Sequence, residues 1–411
     1  MRAFSDDLMG EVRGRFAHVD ACPITGPRVF FENAGGALTL KSVVETTARY
    51  AAIPDNQGRD NPMSAALMGT IARAREDTRA FLGARGGQVF FGESGTEVIF
   101  RMVRTACLAA RGGAAIGTTL EHPASRSALA RYGAEAEMDL IAVPHDNATG
   151  TAAADAYARA MRPDVRVATV VHTSPVTGMA VDVAAVARAI RAQAPDCVII
   201  VDGIQHAAHG GVGLAQLNVD GYALSPYKVF SRHGYGIGWI SDRLQALPHD
   251  GLVGGPPDTW ELGTRDTGAY ATWSDVVDYL RWLGDQADGA GGLAAASRMI
   301  RDHEAALCHA MVHGIGNRAG LAAMAGVTIL GGPDNPAREG LVALTVEGMT
   351  GQEVVAALGD RGIRTHVRKA DHYSGNILGP LGLETCVRVS MAHYNTLDEV
   401  RDFLVAMEPI A

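Results

Sequence analysis

Val198-Ile199-Ile200-Val201-Asp202-Gly203-Ile204-Gln205 closes four apolar residues with an acid and an amide, and Tyr222-Ala223-Leu224-Ser225-Pro226-Tyr227-Lys228 repeats the plan with a lysine. A short apolar run with no polar alternation is a strand buried on both faces. Similar runs occur at 89–91, 114–120, 140–143, 167–172 and 236–240, separated by Ala-rich helical stretches. One of these, 183–190, has amphipathic spacing with Asp182 placed as its N-cap. Strand and helix alternating in this way predict an α/β fold built on a mostly parallel sheet covered on both sides. Ligands of such sheets sit beyond the carboxyl ends of the strands, so the residue after each strand is where chemistry belongs.

Outward from that centre the texture changes twice. Before it, a helix is expected at 6–18 and a strand at 29–31; after it, the Gly/Pro-rich stretch 251–257 leads to long helices at 271–285 and 293–314 and then to a second run of strands and helices. The expected units are an N-terminal segment 1–28 packing with the small domain, a large domain 29–270 and a smaller C-terminal α/β domain 271–411. A chain of 411 residues, 47% hydrophobic and 20% charged, has the composition of an ordered globular protein of two or three such units. No apolar run reaches membrane-spanning length and the N-terminus lacks a signal-like stretch. Cys22, Cys107, Cys197, Cys308 and Cys386 are scattered with no CxxC pair, which argues against a zinc site and fits a reducing cytoplasm. A net charge of −9 without a basic run argues against nucleic acid. The expectation is a cytoplasmic enzyme with no metal and no membrane or nucleic-acid partner.

The chemistry gathers at the strand ends. Lysines are only Lys41, Lys228 and Lys369, and of these Lys228 alone follows an apolar strand. Asp202 precedes it by 26 positions. A lysine and a carboxylate at successive strand ends suit pyridoxal phosphate, which needs an amine for its Schiff base and an acid to keep its pyridine nitrogen protonated. A phosphate cradle is available in Phe91-Gly92-Glu93-Ser94-Gly95-Thr96-Glu97, a small turn opening the helix expected at 98–110, where free N–H groups and the helix dipole favour an anion. Glu121-His122-Pro123 follows another strand and brings His122 toward the same crevice. The run Gly234-Tyr235-Gly236-Ile237-Gly238 precedes a strand and opens no helix, so it is a poor dinucleotide motif.

With these residues in place, the chain resembles the class V aminotransferase family of fold-type I pyridoxal-phosphate enzymes, and among them the cysteine desulfurase-like and selenocysteine lyase-like proteins. The resemblance runs from about Phe30 to the C-terminus. It implies a fold-type I transferase architecture and gives roles by motif. Asp202 and Gln205 of Asp-x-x-Gln would meet the pyridine nitrogen and the phenolic oxygen. Ser225 and Lys228 of the lysine motif would hold the phosphate and the Schiff base. His122 would stack on the ring, and Gly95 and Thr96 would lie in the phosphate turn. Trp260-Glu261-Leu262-Gly263-Thr264 resembles the segment whose threonine reaches the neighbouring subunit's phosphate, which implies a homodimer with the active site at the interface. Arg388, in Arg388-Val389-Ser390-Met391-Ala392-His393-Tyr394-Asn395-Thr396, would hold the substrate α-carboxylate, with Asn33 also on the substrate side.

Three departures bear on the reaction. Asp371-His372-Tyr373-Ser374-Gly375 places Ser374 where desulfurases carry their persulfide-forming cysteine, and serine accepts no persulfide. Tyr227 replaces the histidine before the lysine and keeps a hydroxyl for the phosphate. Ser174-Pro175 replaces an asparagine near the cofactor. Cys386, with apolar neighbours just before Arg388, reads as an inert core thiol. The expected function is transamination of a small α-amino acid. β-Elimination, as in a cysteine or selenocysteine lyase without persulfide capture, and epimerisation are the alternatives, with a non-catalytic cofactor-binding scaffold ranked last.

Overall fold

In the computed structural model, which describes residues 3–411, seven segments of four to seven residues pair into one sheet: β1 (Gln88–Gly92), β2 (Ala114–Thr118), β3 (Asp139–Val143), β4 (Val165–Val171), β5 (Val198–Asp202), β6 (Gly221–Leu224) and β7 (Gly236–Ile240). Their order is β1-β7-β6-β5-β4-β2-β3, and only β7 runs antiparallel to its neighbours. Alternate residues of a strand face opposite sides of a sheet. Ile199 and Val201 accordingly join one apolar cluster and Val198 and Ile200 the other.

The helices supply both covers. On one side α1 (Asp6–Gly14), α2 (Lys41–Ala51) and α3 (Pro62–Leu82) precede the sheet, and on the other α4 (Gly95–Ala110) and α5 (Pro123–Glu135) pack as a pair. The crossovers α6 (Ala154–Ala160) and α7 (Val183–Gln193) join β3 to β4 and β4 to β5; the Asp182 side chain caps the Ala185 N–H of α7. Two long helices follow, α8 (Thr267–Gly284) and α9 (Leu293–His313). None of the described helices is long and apolar enough to cross a membrane.

The C-terminal part holds a second, antiparallel sheet: β8 (Val327–Ile329), β9 (Leu341–Val346), β10 (His366–Lys369) and β11 (Thr385–Ser390), in the order β8-β9-β11-β10. One face packs on α9, α10 (Gly351–Gly359) and α11 (Leu397–Met407) through Val342, Leu344, Val387 and Val389. The other face, with Leu341, Ala343 and Cys386, joins the core of the large sheet. That face also carries Arg388, two residues from Cys386.

Elements on either side of the expected unit boundaries are joined across them. The strand opening the expected large domain, Val29–Phe30, pairs with Ile363–Arg364 of the small one, and Phe31 lies in the small unit's core. Position 271 falls inside α8, which packs on α2 and α3 and also on α9. In segment 1–28, whose first two residues lie outside the described residues, Phe4 N–H donates to His303 and Arg13 pairs with Glu399 at 3.1 Å. The helix expected at 6–18 stops at Gly14.

Candidate active site

Register brings the strand ends together. Asp202 lies level with Ala223 of β6 and with Val171 of β4, and Gly236 of β7 lies level with Gly92 of β1. The turns after β1, β5 and β6 therefore meet at one edge of the sheet. They enclose a cleft lined by Thr96, His122, Asp202, Gln205, Ser225, Tyr227 and Lys228, among others.

Lys228 ends the tight turn after β6 and is buried. Its Nζ donates to Gln205 Oε1 at 3.1 Å. Burial, then the Arg388 guanidinium, pulls the amine down to about 7 against the opposing pull of Asp202, and Arg368 adds to the depression. Such an amine is unprotonated, and so nucleophilic, over much of the neutral range. Asp202 is buried at the end of β5, its Oδ1 accepting the Ile204 N–H at 3.1 Å. Burial pushes its carboxyl up, while that N–H and Lys228 hold it down. His122 is the N-cap of α5, with Nδ1 accepting from the Ala124 N–H at 3.2 Å. Burial, then Lys228 and Arg368, holds its imidazole down to about 3, so the ring is neutral, as suits a flat stacking surface.

The phosphate turn has a geometric signature. Ser94 caps the Glu97 N–H at 3.1 Å, leaving the Gly95 and Thr96 N–H groups at the helix end without intrahelical partners. A Cβ on Gly95 would stand 2.3 Å from Ser225 Oγ, and one on Gly236 would stand 2.4 Å from Gly95 N. The serine hydroxyl, the exposed Thr96 and the helix N-terminus thus share one corner, kept open by two glycines. A buried lysine of near-neutral pKa, a carboxylate one strand away and this cradle together fit pyridoxal phosphate. Tyr227, next to the lysine, stacks on His233 with ring centroids 4.2 Å apart.

Arg388 projects from β11 toward the cleft, 3% exposed, with Nη1 donating to Pro175 O at 2.9 Å and Nε without a partner. Burial, then Arg368, lowers it to about 9. Among the described residues it has no ion-pair partner, so a carboxylate is what this guanidinium lacks. Asn33 is already engaged: its Nδ2 donates to Ser390 O at 2.8 Å and its Oδ1 accepts from Tyr394 OH, so both ends of the amide tie the chain to the small unit. Thr264 is not brought to the cleft within one chain: it is exposed, in a surface groove with Tyr50, Asp55 and Gln57.

Three groups escaped the sequence reading. Arg368 is the cross-strand partner of Cys386, on the same face as Arg388 and one step along. Its Nε donates to Ser374 Oγ at 2.8 Å and its Nη2 to the same oxygen at 2.5 Å, so the residue standing at the desulfurase cysteine position is fully buried beneath an arginine. Its place in a charged stretch hid it; only strand pairing reveals it. Glu121, one residue before His122, is buried with Oε2 unpartnered, and burial, then Asp202, pushes its carboxyl up to about 8. Its position at a strand end was the available signal. Thr173 lines the cleft and donates to Glu339 at 2.6 Å. The five cysteines are free, and burial pushes the Cys386 thiol up to about 12.

A family model described as aminotransferase class-V matches residues 29–403. A probable cysteine desulfurase of Pseudomonas putida is 27% identical over 308 residues, covering 71% of this chain and 70% of the relative. The cysteine desulfurase-like protein ustD of Aspergillus flavus is 24% identical over 402 residues, covering 94% and 88%. Among solved structures, an apo cysteine desulfurase of Thermococcus onnurineus matches with a TM-score of 0.82 at 22% identity, covering 100% of this chain and 98% of that one, a likeness of fold.

Proposed function

The chain belongs to the aminotransferase class-V family, whose relatives are pyridoxal-phosphate enzymes, and on that premise we propose that it removes a β-substituent, sulfur above all, from a small α-amino acid and releases it free. The observation that carries this reading is Lys228, a buried amine near neutrality between Asp202 and Arg388. When bound, the cofactor supplies an electron sink for a carbanion at the substrate Cα.

Every other part belongs to this chain's residues. Arg388 binds the α-carboxylate through its planar fork and so aims the Cα–H bond toward Lys228. Lys228, its amine drawn down to about 7, takes that proton in its unprotonated form. Asp202 would keep a proton on the ring nitrogen, Gly95, Thr96 and Ser225 would hold the phosphate, and His122 would cover one side of the ring and exclude water there. Sulfur as the leaving atom is supported by relatives that are named as cysteine desulfurase or cysteine desulfurase-like. Free release follows from Ser374, which is buried under Arg368 and carries no thiol.

Transamination, the first expectation from the sequence, is the second reading. What favours it is the same serine: among the described residues no thiol lines the cleft. We also propose a homodimer, because Thr264 stands away from the cleft of its own chain. A substrate panel with the holoenzyme separates these readings. Sulfide with pyruvate and ammonia from cysteine supports elimination. Alanine with a persulfide on the enzyme restores the relay chemistry, and the matching oxo acid with no sulfide supports transamination. A monomer with full activity overturns the dimer.

A further inference from the structure

Beneath the lysine a line of buried groups runs out of the large unit into the small one. Lys228 meets Gln205 Oε1; Gln205 Nε2 meets His209 Nε2 at 3.1 Å; His209 Nδ1 meets Glu304 Oε2 at 2.7 Å. Gln205 and His209 stand four residues apart after β5, while Glu304 comes from α9. His209 and Glu304 are 3% and 2% exposed. Stability is a weak reason to keep such a pair, since apolar packing in its place is often neutral or better. The backbone also yields to it. Gly340 has φ +47, and a Cβ there would lie 2.5 Å from His209 Cε1 and 3.0 Å from Glu304 Oε2.

We propose that His209, held by Glu304, is a positioning residue that sets which end of the Gln205 amide faces Lys228 and the phenolic oxygen of a cofactor bound there. This rests on the functional reading above. The two ends of an amide are distinguished by their partners. With a free amine at Lys228, the oxygen faces the lysine. Once that amine is tied up in a Schiff base, a phenolic oxygen needs the NH2 group instead. A ring with hydrogen on Nε2 donates to Gln205 Oε1 and turns the NH2 that way; a ring with hydrogen on Nδ1 alone does the opposite. As described, Gln205 Nε2 faces His209 Nε2, so that nitrogen accepts and the ring hydrogen sits on Nδ1 toward Glu304. Burial lowers the imidazole, but Glu304 overrides it and raises it, while burial raises the Glu304 carboxyl, so the pair is set to take up a proton that puts hydrogen on Nε2 and turns the amide. The other charged or titratable groups facing His209 are Glu339, Lys228 and His393.

The test is the pH titration of the visible band of the pyridoxal-phosphate holoenzyme. A donor on the phenolic oxygen drains its charge and loosens its hold on the Schiff-base proton, so losing the donor raises the midpoint. Glu304→Leu and the double variant His209→Leu with Glu304→Leu, which leaves no orphaned charge, should raise it by about half a unit or more. They should also weaken cofactor binding roughly three- to tenfold. Glu304→Gln, the variant closest in shape, should shift the midpoint the same way by less. Midpoints unchanged in every folded variant, with only the melting temperature lowered, would show a structural pair and overturn the proposal. Wild-type protein that gives no band with pyridoxal phosphate would instead overturn the functional reading itself.

Discussion

The two walls of the cleft are built on different plans. The large-unit wall draws Gly95, His122, Asp202, Gln205 and Lys228 from the ends of strands, each within a few residues of an apolar run. Its amine is drawn by an acid and hydrogen-bonds to Gln205, while His122 and Asp202 each accept from a nearby backbone N–H. The small-unit wall draws Arg388 and Arg368 from the face of an antiparallel sheet, both without a carboxylate ion-pair partner among the described residues and both lowering Lys228. The first wall is arranged for the cofactor; the second is charged for an anion that arrives with the substrate. Reaction type therefore belongs to the second wall.

The hardest test of the first wall is Lys228→Ala. Activity should fall by about two to four orders of magnitude, and borohydride should trap no cofactor on the chain. An adduct on Lys41 or Lys369, recovered by peptide mapping, would break the division between the walls. Arg388→Lys tests the second wall. Amino-acid binding, read from the spectral titration, should weaken about tenfold or more while the holoenzyme band persists. Equal loss of cofactor and substrate binding would mean that the walls are not separable.

Gly95→Ala sharpens the same division from the other side. Its Cβ meets the Ser225 hydroxyl, so cofactor affinity should drop by roughly tenfold with the preference among amino acids unchanged. The pH dependence should link the walls. Schiff-base formation needs the unprotonated amine, so cofactor uptake by the apoprotein should rise as pH increases through about 7. Because Arg388 helps hold Lys228 down, Arg388→Met should move that midpoint upward. A wild-type midpoint near the ordinary lysine value would remove the basis for Lys228 as the base. The smallest effect belongs to Ser374→Ala. Any sulfide release should change less than about threefold, with stability lowered by about 1 kcal/mol for the lost acceptor. A stable enzyme persulfide on Cys386 or another cysteine would overturn this expectation.

The sheet and its cofactor wall were legible because they are local in sequence. Four apolar residues before Asp202 and three before Lys228 define strands, and a residue just past a strand end has few places to go. The phosphate turn was legible for the same reason, as a small turn opening an apolar helix. The partners of Asn33 were not legible, because its motif neighbourhood says nothing of Tyr394 and Ser390, which are more than 350 positions away and take its amide.

By itself the sequence determined the α/β class, the lysine and its acid, and the absence of a thiol at position 374, since each is written in a run of a few residues. Tertiary structure alone decided that Arg368 stands beside Arg388, that Ser374 is sealed beneath it, and that Glu304 reaches His209 behind the lysine. Those meetings depend on strand register and on helix packing across the two units. Neither leaves a periodic mark in the chain, because a pairing between distant segments is selected by the energy of the folded whole.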